Sequence, residues 1–134
     1  KTVLMADDMI ATGGTMIIAM RELMKLGAKK IICMVSLPFF NGNAVENFDA
    51  AYKEGVFYSI IGTNAVYQGK DLLEKEWFVQ ADVTELFARV ISRLHHGRSI
   101  SPLLDNRKFI QKLIDQSQAG IGLSDDDQAA KLPD

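Results

Sequence analysis

Asp7 and Asp8 stand side by side, and four residues beyond them begins the run Thr12, Gly13, Gly14, Thr15. Adjacent carboxylates repel, and a Gly-Gly pair weakens any regular element through its entropy. Both features make sense beside a ligand. Glycines carry no Cβ, so the backbone can turn tightly and come close to an anion. Where a helix begins, its first amides lack intrahelical partners and lie at the positive end of the dipole. Together they make an anion site. Thr12 and Thr15 add hydroxyl donors. Two carboxylates beside a bare anion would be a poor choice. They suit a ligand that carries hydroxyl donors next to its phosphate, as a ribose does, or a divalent cation bridging the site. Adjacent strand residues point to opposite faces, so the acidic pair is expected where a strand is ending.

The elements that must hold this loop follow from periodicity. Thr2 to Ala6 reads as a short buried strand, and Thr15 to Leu26 as a helix apolar on most sides, ended by Gly27. Lys30 to Leu37 is a second apolar run, rich in Ile and Val. Asn43 with Glu46 resembles a capping box ahead of a helix that stops at Gly55. "VFYSIIG" is a third strand and "WFVQA" a weaker fourth. Asp82 and Glu85 open a helix whose Val83, Leu86, Phe87, Val90, Ile91 and Leu94 form one apolar stripe, ended by Gly97. "DNRKFIQKLID" forms a further helix. This alternation implies an α/β fold, a parallel sheet flanked by helices with right-handed connections. The organisation is read as one domain over residues 1–114 and a flexible acidic tail over 115–134.

With 134 residues, 48% hydrophobic, the chain can build one core. Its net charge of −2 with interspersed signs argues against nucleic acid as a partner. No apolar run approaches the ~20 residues that span a bilayer, so no membrane partner is expected. The lone Cys33 cannot form an internal disulfide and suggests a reducing, cytoplasmic location. Lys1 precedes the first strand directly, which reads as a piece cut from a longer chain. The strand edge exposed by such a cut favours self-association.

The loop is neither a P-loop nor a dinucleotide fingerprint, since both glycine patterns are missing. An apolar strand, Asp7-Asp8, two apolar residues, then Ala11 and Thr-Gly-Gly-Thr resembles the phosphoribosyl-diphosphate loop of the type I phosphoribosyltransferase fold. "GAKKIICMVSLPFFNGNAVENF" and "ELFARVISRLHHGRSISPLLD" resemble the C-terminal part of the ribose-phosphate pyrophosphokinases. The resemblance implies a partial domain of that fold. It also implies a parent enzyme that forms a homo-oligomer and uses Mg²⁺. That enzyme transfers diphosphate from ATP to O1 of ribose 5-phosphate, giving 5-phosphoribosyl 1-diphosphate and AMP. By the same resemblance, Ala11, Thr12, Gly13, Gly14 and Thr15 would hold the 5-phosphate, and Asp7 with Asp8 the ribose hydroxyls. Ala11 departs from the family, many of whose members carry Asp there, which removes any carboxylate chemistry at that position. No catalytic residue is assigned, the metal ligands are left unknown, and the fragment alone is expected to be inactive. The other readings are a nucleobase phosphoribosyltransferase and a non-catalytic regulatory subunit that keeps the loop.

Other residues invite chemistry but have plainer explanations. His95 and His96 suit a helix C-terminus. Cys33 reads as a small buried hydrophobe. Asn41, Gly42 and Asn43 are turn formers, with a ligand role equally open. Arg98, Ser99 and Ser101 resemble a region near the family's subunit contacts and effector site, but a plain loop explains them as well. Asp125, Asp126 and Asp127 are a solvated acidic run.

Overall fold

The computed structural model describes residues 1–118, which divide into two compact units, Lys1–Val83 and Thr84 onward. The first unit is built of β1 (Thr2–Ile10), α1 (Gly14–Lys25), β2 (Lys30–Pro38), α2 (Ala44–Lys53), β3 (Ser59–Thr63), α3 (Lys70–Leu73) and β4 (Phe78–Ala81). The strands form one parallel sheet in the order β1-β2-β3-β4, so neighbours in space follow one another in the chain. Thr2 pairs with Lys30, Ile32 with Ser59 and Ile60 with Phe78. The parallel α/β architecture expected from the alternation is the one observed.

The core lies on one face of that sheet. Ile31, Cys33 and Val35 alternate inward along β2, as period-two geometry requires. They meet Met16, Ile17 and Met20 of α1 and Ala44, Phe48 and Ala51 of α2 in a single apolar cluster. Aromatic rings fill its centre. Phe40, Phe48, Phe57, Trp77 and Phe78 touch in mostly edge-to-face pairs, with centroids 5.2–6.2 Å apart, the geometry such rings prefer. A ring as buried as Phe48 contributes roughly 1.5–3 kcal/mol on transfer grounds. The opposite face carries Ala6, Met34, Ile61 and Val79 in one cross-strand row. Met34 and Val79 there, and Leu4 further down β1, are exposed.

Several boundaries differ from the sequence expectation. Strand β1 runs on to Ile10, through both aspartates, because β2 continues to pair with it as far as Pro38. Helix α1 is less covered than its composition suggested, with Ile18 64% exposed. Asn43 occupies the N-cap of α2 but makes no side-chain capping bond. The turn is held instead by Ala44 N–H, which donates to Asn41 O at 3.3 Å. Asp82 does not begin a helix. Its Oδ1 accepts from Asn64 Nδ2 at 2.8 Å, while Asn64 Oδ1 accepts from Val83 N–H at 2.9 Å, and α4 starts at Thr84.

The second unit contains α4 (Thr84–His95), the short α5 (Ser101–Leu104) and α6 (Arg107–Gln118). Arg89 and Glu85 form an i, i+4 ion pair along α4, and Arg93 Nη1 donates to Ser99 O at 3.1 Å. The apolar stripe of α4 is present, yet none of its residues is buried. His96 Nδ1 lies 2.8 Å from Ser92 O, a local contact at the helix end. Residues 115–118 of the expected tail are helical, and the rest of that tail, with Asp125 to Asp127, lies outside the described residues. No helix among the described residues is long and apolar enough to cross a membrane.

Cys33 sits fully buried with Sγ 3.4 Å from Met16 Sδ. Burial, and secondly the negative charge of Asp7, push its thiol up to about 11. The thiolate is the reactive form, so the folded protein will leave Cys33 unlabelled by an aromatic disulfide reagent at pH 8. Denaturant will expose one reactive thiol per chain. Native labelling at the rate of free cysteine would place Cys33 outside the core.

Candidate functional site

The acidic pair and the Thr-Gly-Gly-Thr run come together at the carboxyl end of β1, where open parallel sheets bind ligands. Asp7, Met9, Ile10, Ala11, Thr12, Gly13, Gly14, Thr15 and Met16 line a cavity of about 170 Å³. That is below the roughly 300–1,000 Å³ of pockets that enclose a drug-sized ligand. It suits a phosphate group and part of a sugar rather than a whole nucleotide.

Gly13 is the N-cap of α1 and adopts a left-handed conformation, φ 75°. A glycine takes this conformation without the steric cost of a Cβ. It also has no side chain to occupy the first-turn amides, and no capping bond is made there. The first intrahelical bond is Ile17 N–H to Gly13 O at 3.0 Å. The amides of Gly14, Thr15 and Met16 therefore begin the helix as donors without intrahelical acceptors, at the positive end of the dipole. A Cβ at Gly14 would meet no atom within 4 Å, so the space over this residue is open.

The two aspartates part company, as period-two geometry requires. Asp7 lines the cavity, and Asp8 does not. Asp8 N–H donates to Asp7 Oδ1 at 2.9 Å, which fixes the Asp7 carboxylate. Of the expected site residues, Asp7, Ala11, Thr12, Gly13, Gly14 and Thr15 are thus assembled around one cavity, and Asp8 stands beside it. Ala11 contributes backbone: its carbonyl accepts from Asn41 N–H at 2.8 Å. That bond brings the turn after β2 against the loop after β1. Asn41 supports the loop through this bond, and Asn41, Gly42 and Asn43 all stand outside the cavity lining. Sequence reasoning saw turn formers there and missed this link, which follows from the long β1–β2 register. Among the described residues no three His, Cys, Asp or Glu side chains converge on a metal-sized position.

The family model described as the phosphoribosyl transferase domain matches residues 1–69, which contain this entire site. The chain belongs to that family. Its relatives include the ribose-phosphate pyrophosphokinase of Chlorobaculum tepidum, 31% identical over 113 residues. That match covers 84% of this chain and 33% of the relative. Ribose-phosphate pyrophosphokinase 4 of Saccharomyces cerevisiae is 37% identical over 103 residues, covering 77% and 29%. Among solved structures, the phosphoribosylpyrophosphate synthetase of Mycobacterium smegmatis superposes with a TM-score of 0.63 at 26% identity, covering 72% of this chain and 31% of that one. The phosphoribosyltransferase-like fold expected from the loop is therefore the fold found. The chain spans about a third of the length of the curated relatives it matches.

Proposed function

We propose that this phosphoribosyl transferase domain holds ribose 5-phosphate within a ribose-phosphate pyrophosphokinase. In the reaction, O1 of the sugar bonds to the β-phosphorus of ATP and gives up its proton. The bond from that phosphorus to the α-phosphate oxygen breaks, and AMP leaves. The observation that carries the reading is the cavity in which the first amides of α1 face outward beside the Asp7 carboxylate. The amides of Gly13, Gly14 and Thr15, with the hydroxyls of Thr12 and Thr15, would take the phosphate oxygens. Asp7 would accept hydrogen bonds from the ribose hydroxyls, with Asp8 holding the Asp7 carboxylate from behind.

Phosphoryl-type transfer rests on positioning and on neutralising charge. A loop of this kind positions one substrate. It supplies no cluster of cations for the triphosphate, so the chain alone is expected to release no AMP from ATP and ribose 5-phosphate. Mg²⁺ when bound would neutralise charge on the transferring group. Mg²⁺ often keeps several waters and uses one or two carboxylates together with substrate oxygens, and Asp7 fits that role better than it fits a protein cage. Ala11 supports a second reading, a regulatory subunit that binds the sugar phosphate without turning it over. Self-association belongs to the same proposal, since β1 is an edge strand of the sheet and Leu4 and Met34 are exposed on the face away from the core.

Calorimetry with ribose 5-phosphate, with and without Mg²⁺, tests the assignment. The wild-type chain should bind weakly. Gly14→Val keeps the fold, because nothing crowds that position, but fills the space over the amides and should weaken binding at least about tenfold, the range expected when one anchoring contact worth about 1.4 kcal/mol is lost. Equal heats from the two proteins would end the loop assignment.

A further inference from the structure

We infer that Phe48 is a positioning residue for the anion loop, a rigid floor that keeps Gly13 to Thr15 in their ligand-ready geometry; this rests on the proposed sugar-phosphate reading. A Cβ built on Gly13 would lie 2.9 Å from Phe48 Cζ, 3.1 Å from Cδ2 and closer still to Cε2. The α-carbon of Gly13 therefore rests directly on the flat edge of this ring.

The ring has nowhere to go. Phe48 is fully buried. Phe40 meets it edge-on at 5.2 Å, Phe57 at 5.8 Å, and Trp77 stacks on it at 5.8 Å. Phe40 itself is held in a left-handed conformation, φ 49°, which is uncommon for a bulky residue and persists only where its surroundings enforce it. They do so here. The amides of Phe39 and Phe40 both donate to Ile10 O, at 2.9 and 3.2 Å, and the Asn41 amide donates to Ala11 O. The turn after β2 thus clamps the last residue of β1 and the first of the loop from the side, while Phe48 supports the loop from below.

The consequence is pre-organisation. Donors already aimed at the anion need not be ordered when it binds, and that saving appears as affinity. A smaller or flexible side chain at 48 would let Gly13 sink and the amides diverge. Ordinary core support would not discriminate between Phe48 and Phe57. The three atoms nearest a Cβ on Gly13 all belong to Phe48, whereas Phe57 packs against Tyr52 and Trp77 as well as Phe48.

The test compares Phe48→Leu with Phe57→Leu in the 134-residue protein by amide hydrogen exchange and NMR titration with ribose 5-phosphate. Phe48→Leu should speed exchange at residues 12–16 and weaken the sugar phosphate, each by about tenfold, beyond any change in Phe57→Leu. Phe57→Leu removes one wall of Phe48 but none of the atoms nearest Gly13, so it should lose global stability while loosening the loop and weakening binding less than Phe48→Leu does. Should Phe48→Leu not fold, Phe48→Met, of similar bulk but flexible, supplies the same comparison. Equal loop protection in the Phe48 and Phe57 variants overturns the inference. A wild-type protein that shows no shift with ribose 5-phosphate, while Phe48→Leu still loosens residues 12–16, overturns the ligand reading and leaves the positioning role standing.

Discussion

Gly13→Ala is expected to destabilise the first unit by about 2–5 kcal/mol, the sum of a left-handed penalty of about 1–2 kcal/mol and an overpacking cost of about 1–3 kcal/mol. Both costs have a visible source. The residue sits at φ 75°, and its missing Cβ would collide with a ring that four other aromatic side chains hold in place directly or through one another. A domain of this size shifts its Tm by roughly 4–8 °C per kcal/mol, so the loss will be plain in a thermal melt. Gly14→Ala is the matched control. Its Cβ would meet nothing within 4 Å, and alanine suits the first turn of a helix better than glycine does. That protein should melt within about 0.5 kcal/mol of the wild type, the usual span for an unconstrained surface change. Identical melting of the Gly13 and Gly14 variants would contradict the loop geometry described above.

Removing the Asp49 carboxylate should have the next largest effect. Trp77 is 1% exposed, and its Nε1–H donates to Asp49 Oδ1 at 2.8 Å. Lys75 Nζ donates to the other oxygen at 2.5 Å. Asp49→Ala leaves the indole N–H buried without its acceptor, at a cost of about 1–3 kcal/mol. Burial pushes the Asp49 carboxyl upward, but hydrogen bonds from Lys75 and Trp77, with the charges of Lys75 and Lys53, outweigh burial and hold it below its ordinary value. The sign follows. A carboxyl lowered by folding stabilises the protein above its unfolded pKa of about 3.9 and loses that stabilisation as pH falls through the folded value. Wild-type stability should therefore fall below about pH 4, and Asp49→Asn should show a shallower fall. Trp77 is the only tryptophan in the chain, so its fluorescence reports both experiments directly. An Asp49→Ala protein that melts with the wild type would show that the indole N–H finds another acceptor.

Long-period features were legible in the sequence. Alternation of apolar runs with amphipathic stretches gave the parallel sheet, and Gly27, Gly55 and Gly97 close α1, α2 and α4 where expected. The candidate loop was legible because a double glycine next to a double aspartate has few purely structural uses. What stayed hidden depends on distant partners. Strand β1 outlasts its apolar stretch because Asp7 and Met9 are in register with Val35 and Leu37, and no local signal announces that. The four-residue helices α3 and α5 are too short for a period to register. Gln68 lies in no apolar run, yet it is buried. Its amide bridges Thr63 O at 2.6 Å and Gln80 at 2.8 Å. The stripe of α4 was visible as a pattern, but periodicity identifies an apolar face without identifying what lies against it.

The order β1-β2-β3-β4 bears on how the chain is born. Every strand meets its neighbour one connection later, as Thr2 meets Lys30 and Ile60 meets Phe78. Loop-closure entropy is thus met in short instalments. During synthesis, which runs from the N-terminus at about 5–20 residues per second, each βα unit can dock on its predecessor as it emerges from the ribosome. The anion loop, carried by β1, acquires its aromatic floor only when α2 has followed, so the loop is made before the ring that fixes its shape.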